Sequence, residues 1–196
     1  WAAGLRLAVN DLVDNETLCE LQRNAAGNPT EDCNSMNNAG RQAGTMYGMQ
    51  DYIDAQYGGR GKGFFQIVHD PAEARTVIED GKMAVVLGIE ISKLFNCGEF
   101  LGIPECTPED VVERLDAAYA LGVRHIFPIH KFDNAFGGVV PDEGLGIGTV
   151  LYVGNIAETG TPLLYEQCPE SFADDSAGTP EAPSRLGIFD QLLRQL

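Results

Sequence analysis

Apolar runs of strand length alternate with helical patterns along the chain. Apolar and polar residues alternate over residues 5–9, and residues 83–89 (MAVVLGI) form a nearly continuous apolar run, which is typical of a strand buried on both faces. Residues 64–68 and 123–129 (VRHIFPI) predict two further strands. Because helical segments separate these strands, the pattern predicts βαβ units, a parallel sheet and an α/β fold.

Helix start and stop signals lie between the predicted strands. Residues 70–73 (DPAE) supply an N-cap, a proline in the first turn and a glutamate that closes a capping box, and Gly81 ends this helix. Residues 107–110 (TPED) start another helix, which ends at Gly122. A longer helix is predicted over residues 35–57.

The helical repeat also predicts which residues of two helices face the core. The expected inward residues are Met46, Met49 and Ile53 in the first helix and Val112, Leu115 and Tyr119 in the last. Residues 150–157 predict one more helix. Residues 166–183 predict a surface loop, and residues 185–196 an amphipathic helix.

Candidate chemistry collects where the predicted strands end. In parallel α/β folds, functional residues lie just past the carboxyl ends of the strands. Glu90 follows MAVVLGI and His130 follows VRHIFPI, so we expect both at one end of the sheet, on adjacent or next-adjacent strands. Asn10, Asp11 and Asp14 follow the first strand in the same way.

Spacing alone leaves the roles of these side chains open. Glu90 is either the partner of a metal ion or an arginine, or a strand-end residue that is solvated or paired with Lys93. His130 either binds substrate or metal, or donates to a backbone carbonyl. Asp133 and Asn134 either orient His130 or a ligand, or form a turn.

The remaining motifs are less informative. His125 lies inside its strand and is expected to be packed, whereas His69 is expected in a loop. The sequence contains no nucleophile elbow, P-loop or His-Glu-x-x-His motif. The glycine-rich residues 144–148 support a weaker alternative hypothesis, that the chain is a sugar- or phosphate-binding protein.

Composition narrows the class of protein. With 29 acidic residues against 13 lysines and arginines, the net charge is −16, which excludes nucleic-acid binding through a basic face. Hydrophobic residues make up 44% of the chain, which is normal for a globular domain. Because no apolar run approaches about 18 residues, we expect no membrane-spanning helix.

The cysteines predict the compartment. Cys19 and Cys33 flank a polar loop, and Cys97 and Cys106 bracket a loop with glycine and proline, so each pair is expected to form a disulfide in an oxidising compartment. The alternative is free thiols in a cytosolic protein. Cys168 is left over, and its partner is expected outside this chain. The protein is therefore expected to be secreted or extracellular, the periplasm included.

Two segments together resemble a known family. Residues 81–90 (GKMAVVLGIE) and 118–138 (AYALGVRHIFPIHKFDNAFGG) resemble the membrane dipeptidase, or renal dipeptidase-like, family of metal-dependent hydrolases. Residues 15–19 (NETLC) and 71–75 (PAEAR) resemble secreted bacterial relatives within that family. The resemblance covers most of residues 4–140.

The resemblance implies a (β/α)₈ TIM-type barrel with a two-zinc centre that hydrolyses amide bonds in a small peptide or amide substrate. Glu90 matches the carboxylate that bridges the two metal ions, and His130 matches the histidine that contacts the substrate. The chemistry is consistent, since zinc lowers the pKa of bound water and a histidine donor stabilises a developing oxyanion.

The sequence departs from the family pattern in its metal ligands. It contains no His-x-His or His-x-Asp motif and no histidine after His130. A barrel of this kind also needs about 250 residues. We therefore expect residues 1–196 to be a single domain forming the central portion of a longer barrel, with long disulfide-closed loops and partnered by the remainder of the parent chain. Alone, this portion is expected not to hold zinc.

The missing ligands leave a second function open. A non-catalytic extracellular structural or binding module on the same barrel explains them equally well. Ligand motifs upstream of Trp1 would favour the enzyme. The substrate, the metal identity and a homo-oligomer are left open by the sequence.

Overall fold

A computed structural model describes residues 1–27, 30, 32–140 and 147–163, and its framework is a parallel sheet. The strands are β1 (Leu7–Asp14), β2 (Phe65–Ile67), β3 (Met83–Ile91), β4 (Glu99–Phe100), β5 (Ile103–Pro104) and β6 (Val123–Phe127). The helices are α1 (Glu16–Ala26), α2 (Ser35–Gln56), α3 (Pro71–Glu79), α4 (Pro108–Ala120) and α5 (Ile147–Thr159). The predicted loop 166–183, the predicted helix 185–196, Cys168 and residues 144–146 lie outside the described residues.

Strand β3 is the centre of the sheet. β1 pairs with it from Leu7↔Ala84 to Asp14↔Ile91, and on its other side β2 pairs with its beginning and β6 with its end. All three pairings are parallel, which confirms the predicted α/β class and parallel sheet. The sheet formed by the described residues is open and has four strands, so no closed barrel is present in this part of the chain.

The first two elements differ most from the sequence prediction. β1 continues beyond Val9 to Asp14, because residues 10–14 keep the parallel pairing with β3 up to Ile91. The segment after it contains helix α1, where the sequence predicts a polar loop. Asn15 caps this helix by accepting from the Leu18 amide, and Gly27, with φ of 66°, ends it.

The core lies between one face of the sheet and the helices. This covered face consists of fully buried side chains that pack against α2 and α4: Leu12, Leu87, Ile89 and Ile91. Ala39 and Ala43 of α2 are both 1% exposed, so their small side chains let the helix lie close to the sheet. Met46 and Ile53 pack there as predicted, whereas Met49 is 39% exposed.

Helix α4 faces the core with a different stripe from the one predicted. Val112, Leu115 and Tyr119 are exposed, so that prediction is wrong. The helix instead turns Val111 and Ala118 inward, and Arg114 on the same stripe donates to the Phe95 carbonyl. The guanidinium satisfies a backbone acceptor that an apolar residue could not, which explains why hydrophobic spacing chose the wrong side.

The opposite face of the sheet is left open by the described residues. This open face carries Leu7, Val9, Val13 and Phe127, which are between 42% and 51% exposed. Alternation along the strands places Gly88 and Glu90 on it as well. Parallel sheets are normally covered on both faces, so a bare apolar face is unusual for this architecture.

The outer edge of β1 is paired at one position by a side chain. The Gln42 amide of α2 accepts from the Val13 amide at 3.2 Å and donates to the Val13 carbonyl at 2.9 Å. A side-chain amide thereby takes the place of a neighbouring peptide group at the end of this strand.

Both predicted disulfides are present. Cys19–Cys33 joins α1 to the segment before α2 across 14 residues, and Cys97–Cys106 closes a loop of 9 residues. The second loop contains the β4–β5 hairpin, whose turn residues Leu101 and Gly102 both have positive φ. Each disulfide therefore anchors a segment that leaves the carboxyl side of the parallel sheet.

Candidate functional site

Glu90 and His130 lie together at the carboxyl ends of two adjacent strands. Glu90 is in register with Phe127, the last residue of β6, and His130 follows three residues later. The His130 Nδ1 atom is 2.8 Å from the Glu90 Oε1 atom, and the two side chains are 14% and 27% exposed. The structure thus brings the two residues together, at the end of the sheet where the sequence predicted them.

The pairing has a consequence for the His130 ring. An ionised carboxylate only accepts hydrogen bonds, so Nδ1 carries the proton that faces Glu90. The other ring nitrogen, Nε2, is then an acceptor in the neutral ring and a donor in the imidazolium form. Glu90 therefore orients the ring.

Asn134 holds the loop that carries His130. Its side chain is buried and donates to the carbonyls of Pro128, at 2.9 Å, and Ser92, at 3.0 Å. Its Oδ1 atom accepts from the Phe136 amide at 2.8 Å. The amide thereby ties the residues before and after His130 to the end of β3, so Asn134 is a positioning residue for this loop.

Asp133 fastens the same loop to α5. Its Oδ1 atom accepts from the Val139 amide at 2.8 Å, and its Oδ2 atom accepts from Asn155 at 3.2 Å. Asn155 also accepts from the Asp133 amide at 2.8 Å. The described hydrogen bonds of Asp133 thus support the loop rather than the His130 ring.

A second histidine–carboxylate pair occupies the open face. The His125 Nδ1 atom is 3.1 Å from the Asp11 Oδ1 atom, and the side chains are 46% and 29% exposed. The prediction of a packed His125 is therefore wrong, because no described residue covers this face. The two side chains meet above Gly88, where an added Cβ would lie 1.8 Å from Asp11 Oδ1.

The other polar candidates have local partners. Asp14 accepts from Asn38 at 2.8 Å, and Asn10 lines a small cavity beside α2. His69 is a loop residue, as predicted; its ring is 3.1 Å from the Tyr47 hydroxyl and 3.3 Å from Glu73. These side chains belong to the framework rather than to the Glu90–His130 site.

A charged cluster that the sequence does not predict lies near the two disulfides. The Lys93 ammonium is 3.0 Å from Glu158 and 3.5 Å from Glu16. Lys93 thus pairs with these residues and not with Glu90, the partner that the sequence left open. No local pattern indicates this cluster, because its members come from three distant segments of the chain.

Burial controls ionisation in this cluster. It raises the pKa of Glu158, an effect that Lys93 opposes and that Glu16 and Glu105 reinforce. Burial alone would lower the pKa of Lys93, but the surrounding carboxylates, Glu158 foremost, hold it above its usual value. The cluster therefore keeps Lys93 charged, whereas burial and the neighbouring carboxylates favour the neutral form of Glu158.

A cavity of about 320 Å³ opens beside His130. The described residues that line it come from the end of β6, the loop after it, α5 and the segment after α5: Phe127, Ile129, His130, Lys131, Gly138, Val139, Val140, Leu151 and Leu163. The ring of His130 thus stands at the wall of a largely apolar cavity.

The described residues do not by themselves fit a two-zinc centre. Among them, no group of three or more histidine, cysteine, aspartate or glutamate side chains is placed to hold a metal ion. Glu90 and Asp11 each face one histidine, and zinc sites in proteins use three or four ligands. Glu90 alone fits one ligand position, so the other ligands would have to come from outside this part of the chain.

Comparisons with known proteins identify no family. The chain matches no protein-family model, and searches of curated proteins and of solved structures also found no match. The dipeptidase resemblance therefore remains a prediction from the sequence. Among the described helices, none is both long enough and apolar enough to cross a membrane.

Proposed function

We propose that this chain is part of a secreted, zinc-dependent hydrolase of amide or peptide bonds, built on part of a (β/α)₈ barrel. The observation that carries the proposal is the Glu90–His130 pair at the carboxyl ends of adjacent parallel strands. Barrel enzymes place their catalytic residues at this end of the sheet, on more than one strand.

The strand order supports the barrel. β1, β3 and β6 lie side by side in this order, the short β2 shares the side of β3 that β6 occupies, and the described helices pack on one face of the sheet. In a barrel, the helix-covered face points outward and the other face forms a packed interior. The open apolar face is the surface that further strands would cover.

His130 is the residue proposed to meet the substrate. When water attacks an amide, the carbonyl oxygen gains negative charge, and a positioned donor lowers the barrier. In the imidazolium form, Nε2–H supplies that donor, while Nδ1–H stays on Glu90. A carboxylate has about four lone-pair sites, so Glu90 can accept from His130 and still offer an oxygen to a metal ion.

The disulfides support a secreted protein. Cys19–Cys33 and Cys97–Cys106 are both formed, and disulfides persist in oxidising compartments. Both lie near the sheet end that carries Glu90, so they stabilise the loops around the proposed site.

The proposal is tested on the full natural protein and its variants, by measuring zinc content and hydrolysis of a panel of dipeptides and N-acyl amino acids. We expect His130→Ala to retain the metal and to lower kcat by about 10²–10³-fold, the usual effect of losing one oxyanion donor. Glu90→Gln should lower the zinc content, because it removes a negative charge from the site while keeping the shape.

His69→Ala is the matched control, since His69 is a loop histidine with its own partners, and it should leave kcat unchanged. Loss of zinc in His130→Ala would contradict the assigned roles. Absence of hydrolysis in the zinc-loaded natural protein would instead favour the non-catalytic extracellular module. The 196-residue chain alone is expected to bind no stoichiometric zinc.

A further inference from the structure

We infer that the cavity beside His130 binds an apolar side chain of the substrate, which makes the preferred substrates small peptides or amides with a large apolar residue at the reacting amide. This inference rests on the proposed function for the identity of the reacting bond. The binding of an apolar amide at His130 follows from the cavity alone.

The cavity has buried apolar side chains at its floor and is open to solvent at its mouth. Six of the nine lining residues have apolar side chains. Leu151 and Leu163 are only 7% and 5% exposed, whereas Val140 is 88% exposed. An apolar group that enters past Val140 therefore meets buried leucine side chains, and its transfer from water is favourable.

The volume limits the size of the ligand. At about 320 Å³, the cavity lies at the lower end of the range of about 300–1,000 Å³ for small-molecule sites. It suits one amino-acid side chain with its adjoining amide rather than a long peptide.

The position of His130 specifies the polar part of the ligand. Its Nδ1 atom is engaged by Glu90, so Nε2 is the ring nitrogen that remains for a ligand. A ligand that donates an amide N–H to Nε2, which is an acceptor in the neutral ring, and places an apolar group against the leucines combines the two features. An amide next to an apolar amino-acid side chain has this chemistry.

A second cavity of similar volume has different lining residues from the cavity beside His130. It measures about 330 Å³ and lies between β1 and α2, where five of its seven lining residues are polar, Asn10, Asn38, Arg41 and Gln42 among them. It contains no histidine among its described lining residues. The apolar cavity beside His130 is therefore the one suited to an apolar amide.

The test measures binding to the 196-residue chain by NMR of its histidine rings, with zinc removed by a chelator so that hydrolysis plays no part. The chain has three histidines, so single substitutions assign the His130 signal. The probes are N-acetyl-phenylalaninamide and N-acetyl-alaninamide. We expect the phenylalanine probe to shift the His130 signal and to bind about tenfold more tightly, since it buries more apolar area.

Val139→Glu places a charge in the cavity and should abolish that tenfold preference. Val150→Glu is the matched control: Val150 lies on α5, is 53% exposed and does not line the cavity, so the preference should persist. If Val139→Glu does not fold, Val140→Glu at the exposed mouth replaces it and should reduce the preference.

Equal affinities for the two probes, or equal effects of the Val139 and Val150 substitutions, would overturn the inference. The two proposals fail separately. A protein that prefers the phenylalanine probe but hydrolyses no amide when loaded with zinc retains this binding site and loses the proposed function. A protein that hydrolyses alanine and phenylalanine substrates equally well retains the function and loses the specificity.

Discussion

The two faces of the parallel sheet carry apolar side chains in similar numbers but differ in what lies against them. Leu12 and Val13 are neighbours on β1, yet Leu12 is fully buried beneath α2 while Val13 is 42% exposed on the other side. Along β3, Ile89 is 1% exposed, and Glu90, the next residue, turns to the open face. One face is thus filled by packing, and the other is free to carry chemistry.

The difference teaches where to look for function in this chain. Both histidine–carboxylate pairs on the sheet belong to the open face: Asp11–His125 and Glu90–His130. The covered face supplies the apolar contacts that keep the strands in register beneath them. The covered face of β1, β3 and β6 therefore stabilises the sheet, and the open face of the same strands carries the two histidine–carboxylate pairs.

The largest expected effect compares two leucines of β1. Leu12→Ala should lower the free energy of unfolding by about 2–5 kcal/mol, because it leaves a cavity in the core. Leu7→Ala, on the open face and 51% exposed, should cost less than about 1 kcal/mol. Urea denaturation of both variants measures the difference, and equal losses would show that the open face is covered in solution.

A smaller effect is expected at Gly88, where the open face has no room for a methyl group. Gly88→Ala should cost about 1–3 kcal/mol, because its Cβ would displace Asp11 from His125. Asp11→Ala in the same chain should recover part of this loss. Gly44→Ala is the control: it lies in α2 with no atom near its added Cβ, so it should stabilise the helix by about 0.5–1 kcal/mol.

The smallest effect concerns the charged cluster at the edge of the covered region. The folded-state pKa of Glu158 is raised above its ordinary value of 4.5, so its contribution to stability is complete below that pH and is lost as the pH rises through the folded pKa. Glu158→Gln should remove this dependence on pH. Thermal denaturation between pH 4 and 8 checks it; parallel curves for wild type and variant would contradict the assignment.

Much of the framework could be predicted because its signals are local. MAVVLGI forms the predicted strand β3, and the TPED segment starts α4 as predicted, with Thr107 and Asp110 forming a capping box. The juxtaposition of Glu90 and His130 followed from a general rule for parallel sheets. The two disulfides could also be predicted, since each pair of cysteines flanks a short segment with turn residues.

The rest depended on tertiary contacts. The inner stripe of α4 includes Arg114, which no hydrophobic pattern would choose, and its reason is the Phe95 carbonyl. β1 was predicted too short because Asn10 and Asp11 interrupt its alternation of apolar and polar residues. In the charged cluster, Lys93 lies 77 positions after Glu16 and 65 positions before Glu158 in the sequence. No local sequence pattern therefore predicts it.

The Gln42 contact at the outer edge of β1 has a consequence for aggregation. A bare strand edge is a template on which a strand of another molecule can add. Gln42 occupies this edge at Val13, and Asp11 and Asp14 place charge along the strand, which opposes stacking of identical copies. With a net charge of −16, molecules of this chain repel one another at low ionic strength, so salt, which screens that repulsion, is the condition that most favours association along this edge.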